Sequence, residues 1–119
     1  MANEKFFPDI ITNLPEADIS IDGLHTHLFQ GTSQQFVFMS FASDVEIPQH
    51  FHEAQWGIVL DGKIELTING DKLTYKKGDT YFIPKDVPHS AKINAGYKDV
   101  TRFNQKDRYN EKYYCEYSI

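Results

Sequence analysis

The chain lacks several features that mark extracellular and membrane proteins. It has one cysteine, Cys115, and therefore cannot form an internal disulfide. The segment 1–8 contains no apolar core of a signal peptide. No apolar run approaches the roughly 20 residues that a membrane helix needs. We therefore expect a soluble, cytoplasmic protein that does not use a membrane.

Positive charge is also scarce. The chain has 12 Lys and Arg against 17 Asp and Glu, which gives a formal net charge of −5. Its densest basic run is the pair Lys76-Lys77. Because this balance repels a phosphate backbone, we expect no nucleic-acid partner.

Long stretches with helical periodicity are missing, whereas short apolar runs between turn sequences are frequent. Phe and Tyr dominate the aromatic residues, which make up 14% of the chain, and both favour strands. Asp61-Gly62 and Asn69-Gly70 are typical of two-residue hairpin turns. About ten short strands separated by such turns predict an all-β sandwich or barrel.

Strands are predicted where apolar residues alternate with polar ones or form a short run. The clearest are 24–30, 36–42, 55–60, 63–68, 72–75, 80–83, 89–93 and 97–103. Segments 10–12 and 19–24 are predicted as short edge strands, since nearby prolines disfavour a helix. The tail 109–119 is predicted as a last strand. We place the N-terminal edge strands (1–30) and the barrel (31–119) in one domain.

Two histidines with one residue between them, His50 and His52, precede the predicted strand 55–60. Side chains at i and i+2 of an extended strand point to the same face, so both imidazoles would aim at one point. This arrangement suits a metal ion, because neutral imidazole is a common metal ligand. His25 and His27 repeat the spacing without a third partner, and we interpret them as strand histidines that could contact a substrate if they face inward.

These residues form part of two motifs that resemble those of the cupin superfamily. The first family motif contains His-x-His, then Glu, six further residues and Gly. The matching residues here are His50-Phe51-His52, Gln55 and Gly62. The second contains Gly, five residues, Pro-x-Gly, two residues, His, three residues and Asn. The matching residues here are Gly78, Pro84-Lys85-Asp86, His89 and Ile93.

The resemblance implies a small single-domain cupin of the type-2 conserved barrel kind. Its fold would be the double-stranded β-helix, or jelly-roll barrel, of RmlC-like proteins. It also implies a divalent transition metal held by His50, His52 and His89 at the barrel mouth. Fe, Zn, Ni, Mn and Cu are all compatible with these ligands.

The chain departs from the family at the fourth ligand. Gln55 stands in place of the glutamate, with only two residues between it and His52, so it is expected to be a weaker ligand or a neighbour of the metal. Glu53 is the alternative, although in an extended chain it points away from His52. A neutral amide leaves the metal more cationic, which favours an anionic ligand.

The ligand pocket is expected to hold a small molecule that is anionic or sugar-derived. Residues expected to line it are Gly57, Val59, Phe38, Phe82 and His27. Gly57 shares the face of Gln55 and could leave room for substrate, or could mark a twist in the strand. Trp56 faces away from Gln55 and is interpreted as a core residue.

Three functions fit these observations, because one fold hosts many chemistries. They are a metal-dependent enzyme of dioxygenase, isomerase or lyase type, a non-catalytic small-ligand-binding protein, and a metal-free structural barrel. The motifs identify no catalytic residue, and Glu53, His25 and His27 are the only candidate general bases. We also expect a homodimer, since sandwich edges need cover and the tail 109–117 is rich in tyrosine.

Overall fold

The computed structural model describes residues 5–112. They form nine strands and one helical turn: α1 (Asp9–Thr12), β1 (Leu24–Gln30), β2 (Gln35–Phe41), β3 (Val45–His50), β4 (Gln55–Asp61), β5 (Lys63–Ile68), β6 (Asp71–Lys76), β7 (Thr80–Ile83), β8 (His89–Ile93) and β9 (Lys98–Phe103). One sheet has the order β1-β2-β9-β4-β7 and the other has the order β3-β8-β5-β6. The neighbouring strands pair antiparallel. The predicted all-β class is confirmed.

The two Gly-containing turns have different roles. Asn69 and Gly70 adopt positive φ (50° and 86°) and join β5 to β6, with Ile68 opposite Asp71, so this predicted hairpin is confirmed. Asp61-Gly62 also has positive φ at its glycine (72°), but β4 and β5 belong to different sheets. The hairpin predicted there is therefore wrong. The turn is a corner at which the chain passes from one sheet to the other.

The N-terminal segment differs from its prediction. Residues 9–12 form a helical turn, in which the amides of Ile11 and Thr12 donate to the Pro8 carbonyl at 2.9 and 3.1 Å. Pro8 precedes the first turn, where the N–H that proline lacks is not needed, so it permits the helix. Residues 19–21 form no strand.

The predicted C-terminal strand falls largely outside the described residues. Within 109–112, Glu111 makes an isolated bridge with Ala17. Residues 113–119, including Cys115, are not described.

Apolar side chains from both sheets pack between them. The main cluster of buried residues consists of Phe41, Val59, Ile64, Leu66, Tyr81, Ile83, Ala91, Ile93 and Tyr97. The opposite face of β2 is apolar as well, and Phe38 packs edge-on against Phe7 with ring centroids 5.8 Å apart. Among residues 5–112, no helix is long and apolar enough to cross a membrane.

Strand register sets the end of the sandwich at which the site lies. His50 at the end of β3 pairs with His89 at the start of β8. Gln55 at the start of β4 pairs with Phe103 at the end of β9. The rings of Phe103 and His52 lie 5.4 Å apart, which links the two pairs. Residues distant in sequence therefore meet at one end of the sandwich, here called the mouth.

Candidate metal centre

Three histidines converge at the mouth. The ligand nitrogens of His50, His52 and His89 all lie within 4.8 Å of one another. The His89 ring centroid is 4.3 Å from that of His50 and 4.6 Å from that of His52. The structure thus brings together the histidines of both sequence motifs, although His52 lies just beyond the end of β3.

A backbone carbonyl fixes the tautomer of each ring. Nδ1 of His50, His52 and His89 lies 2.9, 2.7 and 2.9 Å from a carbonyl oxygen of Pro48, Glu53 and Val87, respectively. A carbonyl oxygen can only accept, so each Nδ1 donates and each Nε2 keeps its lone pair. Metal-binding histidines commonly have this arrangement, because the second nitrogen orients the ring.

Burial keeps the rings of His52 and His89 neutral. Burial, together with the nearby Arg108 charge and against the hydrogen bond to Glu53, lowers the pKa of His52 from 6.5 to about 4. Burial likewise lowers the pKa of His89. At neutral pH both rings are therefore uncharged and available as ligands.

The spacing of the free nitrogens tests whether a metal fits. Nε2 of His52 and Nε2 of His89 are 3.1 Å apart. Since both rings are neutral and protonated at Nδ1, two lone pairs face each other, which is unfavourable without a cation between them. Two nitrogens bound to one ion at about 2.1 Å each are separated by roughly 3.0–3.4 Å. The three histidines therefore fit a transition-metal ion.

Gln55 lines the same cavity as the histidines, and its amide orientation is fixed by Thr101. The Thr101 hydroxyl donates to the Trp56 carbonyl at 3.1 Å and can therefore only accept from Gln55. The Gln55 Nε2 group donates to Thr101 Oγ1 at 2.9 Å, so Oε1 points away from Thr101. Thr101 is fully buried in the middle of β9 and belongs to neither motif, so sequence analysis missed it.

The alternative ligand, Glu53, lies elsewhere. Its carboxylate is 3.4 Å from Lys85 Nζ, and it is not part of the three-residue group. Its backbone carbonyl instead accepts a hydrogen bond from His52 Nδ1. Glu53 therefore contributes to the site through its backbone.

The loop before β8 positions His52 through a backbone hydrogen bond. The Asp86 amide donates to the His52 carbonyl at 2.9 Å. Asp86 has a positive φ of 63°, and it stands at the second glycine of the family motif. Aspartate tolerates this conformation better than most residues, so the substitution can keep the backbone geometry that glycine would provide.

An apolar cavity of about 200 Å³ extends inward from the histidines. Its apolar lining includes Met39, Phe41, Ile47, Leu66 and Ile83. The charged residues that line it are Asp99 and Arg108. Sequence analysis missed both, because they belong to no motif.

Arg108 supplies a cation near the mouth. Its guanidinium lies 4.6 Å from the Tyr109 ring centroid and 5.7 Å from that of Phe103. Its buried Nε has no hydrogen-bond partner within residues 5–112. Its charge contributes to the lowered pKa of both His52 and His89. A positively charged donor therefore stands close to the histidines.

None of the five residues expected to line the pocket is among its lining residues. Phe38 and Phe82 lie on outward faces, Phe82 being 57% exposed, because their neighbours Met39 and Ile83 point inward. His27 faces the Leu14 carbonyl, with Nδ1 at 3.2 Å. Val59 is packed in the core, and the Tyr81 ring covers Gly57.

Known proteins resemble this chain in sequence. The family model described as "Cupin domain" matches residues 37–103, which include all three histidines. The quercetin 2,3-dioxygenase of Bacillus subtilis is 32% identical over 74 residues, covering 60% of this chain. The chain spans 54% and 22% of the lengths of the first two curated relatives, the dioxygenase being the second.

Solved structures agree with the fold. An RmlC-like cupin from Shewanella frigidimarina aligns with a TM-score of 0.70 at 22% identity, over 91% of this chain and 96% of that one. The Mn(II)-containing oxalate decarboxylase of Bacillus subtilis aligns with a TM-score of 0.65 at 19% identity, over 78% of this chain and 28% of that one. The two-sheet architecture is thus the predicted jelly roll.

Proposed function

The chain belongs to the cupin-domain family, and from that premise we propose that it holds one divalent transition metal through His50, His52 and His89 and binds a small anionic ligand beside it. The observation that carries the proposal is the convergence of unprotonated ring nitrogens, with His52 and His89 Nε2 only 3.1 Å apart. A bound metal would supply Lewis-acid chemistry and open coordination positions. Metal analysis of protein purified without a nickel column tests the first part.

Gln55 is proposed as a weak fourth ligand or as a group that orients the ligand. Its amide nitrogen donates a hydrogen bond to Thr101, so the amide oxygen Oε1 is the atom that would contact the metal or the ligand. An amide oxygen carries no net charge, so the centre stays more cationic than one with a carboxylate. A more cationic centre favours an anionic ligand.

Arg108 supports the same preference. It lies near His52 and His89, and within residues 5–112 it forms no ion pair. A guanidinium group suits carboxylate because its parallel N–H donors match the two oxygens. We therefore propose that the ligand is a carboxylic acid whose charged end lies between the histidines and Arg108.

Cavity size limits the ligand. The volume of about 200 Å³ lies below the roughly 300–1,000 Å³ of drug-sized pockets, so the ligand is a small molecule. Its apolar walls suit an organic or sugar-derived acid with a carbon skeleton. Turnover of such acids, by dioxygenase, isomerase or lyase chemistry, is the activity that we propose to test first.

Replacement of Arg108 by glutamine should weaken carboxylate binding about tenfold, because a charged hydrogen bond is lost. Titration calorimetry of the metal-loaded protein with a panel of small carboxylates measures this effect. Lys77→Gln is the control, since Lys77 is an exposed cation that does not line the cavity. Equal affinities for the two variants would contradict the role of Arg108.

An aromatic row crosses the outer face of the five-stranded sheet. Paired residues place Phe29, Phe36, Arg102, Trp56 and Phe82 side by side on β1, β2, β9, β4 and β7. Phe29, Trp56 and Phe82 are 53%, 42% and 57% exposed, so Trp56 is not the core residue expected from sequence. We propose that two copies pair through this row, because an isologous interface brings the same patch together twice.

Replacement of Trp56 by glutamate should convert this dimer to a monomer, because the interface loses the Trp56 ring and would have to desolvate a carboxylate instead. Light scattering measures the mass. Leu73→Glu is the control, since Leu73 is 59% exposed on a strand of the other sheet. A wild-type protein that stays at 13.8 kDa at high concentration would contradict the dimer.

A further inference from the structure

A buried carboxylate lies in the cavity, away from the histidines. Asp99 lies on the inward face of β9 and is 2% exposed. The hydroxyls of Tyr81 and Tyr97 both donate to its Oδ2, at 2.9 and 2.7 Å. Its other oxygen, Oδ1, has no hydrogen-bond partner within residues 5–112. Asp99 therefore borders the cavity with one acceptor oxygen unused.

The unused oxygen is costly for the protein. A buried acceptor without a donor loses the hydrogen bonds that water would give it. Burial raises the pKa of Asp99 to about 6, against the two tyrosine hydrogen bonds that lower it. The carboxylate is therefore largely ionised at neutral pH, and it forms no ion pair with a cation of residues 5–112.

The tyrosines hold the carboxylate in place without satisfying it. Burial raises the pKa of Tyr81 and of Tyr97, so both hydroxyls stay protonated and keep donating. Because both donate to Oδ2, the orientation of the carboxyl group is fixed while Oδ1 is left over. A ligand in the cavity can supply the missing donor.

The position of Asp99 separates it from the mouth. It precedes Phe103, which contacts His52, by four residues along β9, or about 13 Å of extended strand. Asp99 pairs with Met39 and Val59, both remote from the histidines in the sheet register. The cavity thus has a cationic end at the mouth and an acceptor at its inner end.

We propose that Asp99 is a second recognition point, which accepts a hydrogen bond from a hydroxyl group at the far end of the ligand. The ligand is then a small hydroxy acid, with its carboxylate at the mouth and its hydroxyl beside Asp99. This inference rests on the proposed function for the carboxylate end only. The preference for a donor at the inner end follows from Asp99, Tyr81 and Tyr97.

A series of ω-hydroxy acids from 3-hydroxypropanoate to 6-hydroxyhexanoate tests the proposal by calorimetry on the metal-loaded full chain. Each is compared with the unsubstituted acid of the same length. At the chain length that reaches Asp99, the hydroxyl should tighten binding about tenfold, as expected for a hydrogen bond to a charged acceptor. The methyl ether of that acid cannot donate and should lose the advantage.

Asp99→Asn provides a matched variant of nearly equal size. Its amide oxygen can accept both tyrosine hydroxyls, which places the NH₂ group where Oδ1 was and replaces an acceptor by a donor. The preference for the hydroxy acid over its methyl ether should disappear, since the new NH₂ group can donate to either ligand oxygen but cannot accept from the hydroxyl.

The outcomes separate this inference from the proposed function. Acids that bind and depend on Arg108, with no hydroxyl advantage at any length, would overturn the role of Asp99 and leave the anion site intact. A preference for the hydroxyl over the methyl ether that persists in Asp99→Asn, or a methyl ether that binds wild type as tightly as the hydroxy acid, would also overturn it. If no carboxylate binds the metal-loaded protein, both the anion site and the hydroxy-acid assignment are wrong.

Discussion

His52→Ala is expected to lower the metal content of the purified protein from one ion per chain to less than about 0.1, because two imidazoles are a poor site for these ions. His52 provides one of the two free nitrogens that lie 3.1 Å apart. Without His52, only His50 and His89 remain as ligands. Two imidazoles bind a metal ion more weakly than three that converge on it. Elemental analysis after purification without a nickel column measures the change.

His25→Ala is the matched control for that experiment. His25 is an exposed histidine on β1 and lies outside the three-residue group. The His25→Ala variant should retain full metal stoichiometry. That result would exclude the loss of any one histidine as the cause of the lost metal. Retained stoichiometry in His52→Ala would contradict the ligand assignment. A wild-type protein that stays metal-free after soaking would contradict the metal site itself.

Thermal melting provides a second measurement. A ligand that binds only the folded state stabilises it by about 2.7 kcal/mol at 100 times its dissociation constant. Added metal should therefore raise the melting temperature of wild type and of His25→Ala, but not that of His52→Ala. Because His52 is partly exposed in a loop, the variant should melt close to the metal-free wild type.

Local pattern predicted much of the fold. The bounds of β1, β5, β7 and β8 match their predictions, because each lies between turn residues with clear conformational preferences. The histidines could also be selected from motif spacing, since each motif places its ligand at a strand end. Asp61-Gly62 shows the limit of such patterns. A positive φ at Gly62 determines a turn, but the turn does not reveal whether the next strand stays in the same sheet.

The cavity lining was not predictable in the same way. On β9, Asp99 and Thr101 point inward while Val100 and Arg102 point outward, the reverse of a simple apolar-in pattern. Hydrogen bonds from Tyr81 and Gln55 make this orientation tolerable, and those partners come from other strands. Arg108 follows β9 and reaches the mouth through tertiary packing alone. These residues become visible only when the sheets are assembled.

Gly57→Ala is expected to destabilise the fold by about 2–3 kcal/mol, because a single added carbon overpacks a filled interior. Gly57 does not have a positive φ, so alanine suits its backbone and the effect is steric. Its new Cβ would overlap the ring and hydroxyl of Tyr81. Gly57 thus leaves room for Tyr81 itself, and only through Tyr81 does it shape the cavity.

Tyr81 cannot move aside at low cost. It is 4% exposed, and its hydroxyl donates to Asp99 at 2.9 Å, so a shifted ring would lose that bond inside the protein. Urea denaturation of Gly57→Ala measures the loss of stability. The same substitution in a Tyr81→Ala background should cost less than about 0.5 kcal/mol, since the ring is gone and the strand tolerates alanine. Equal costs in the two backgrounds would show that Gly57 is needed for a reason other than Tyr81.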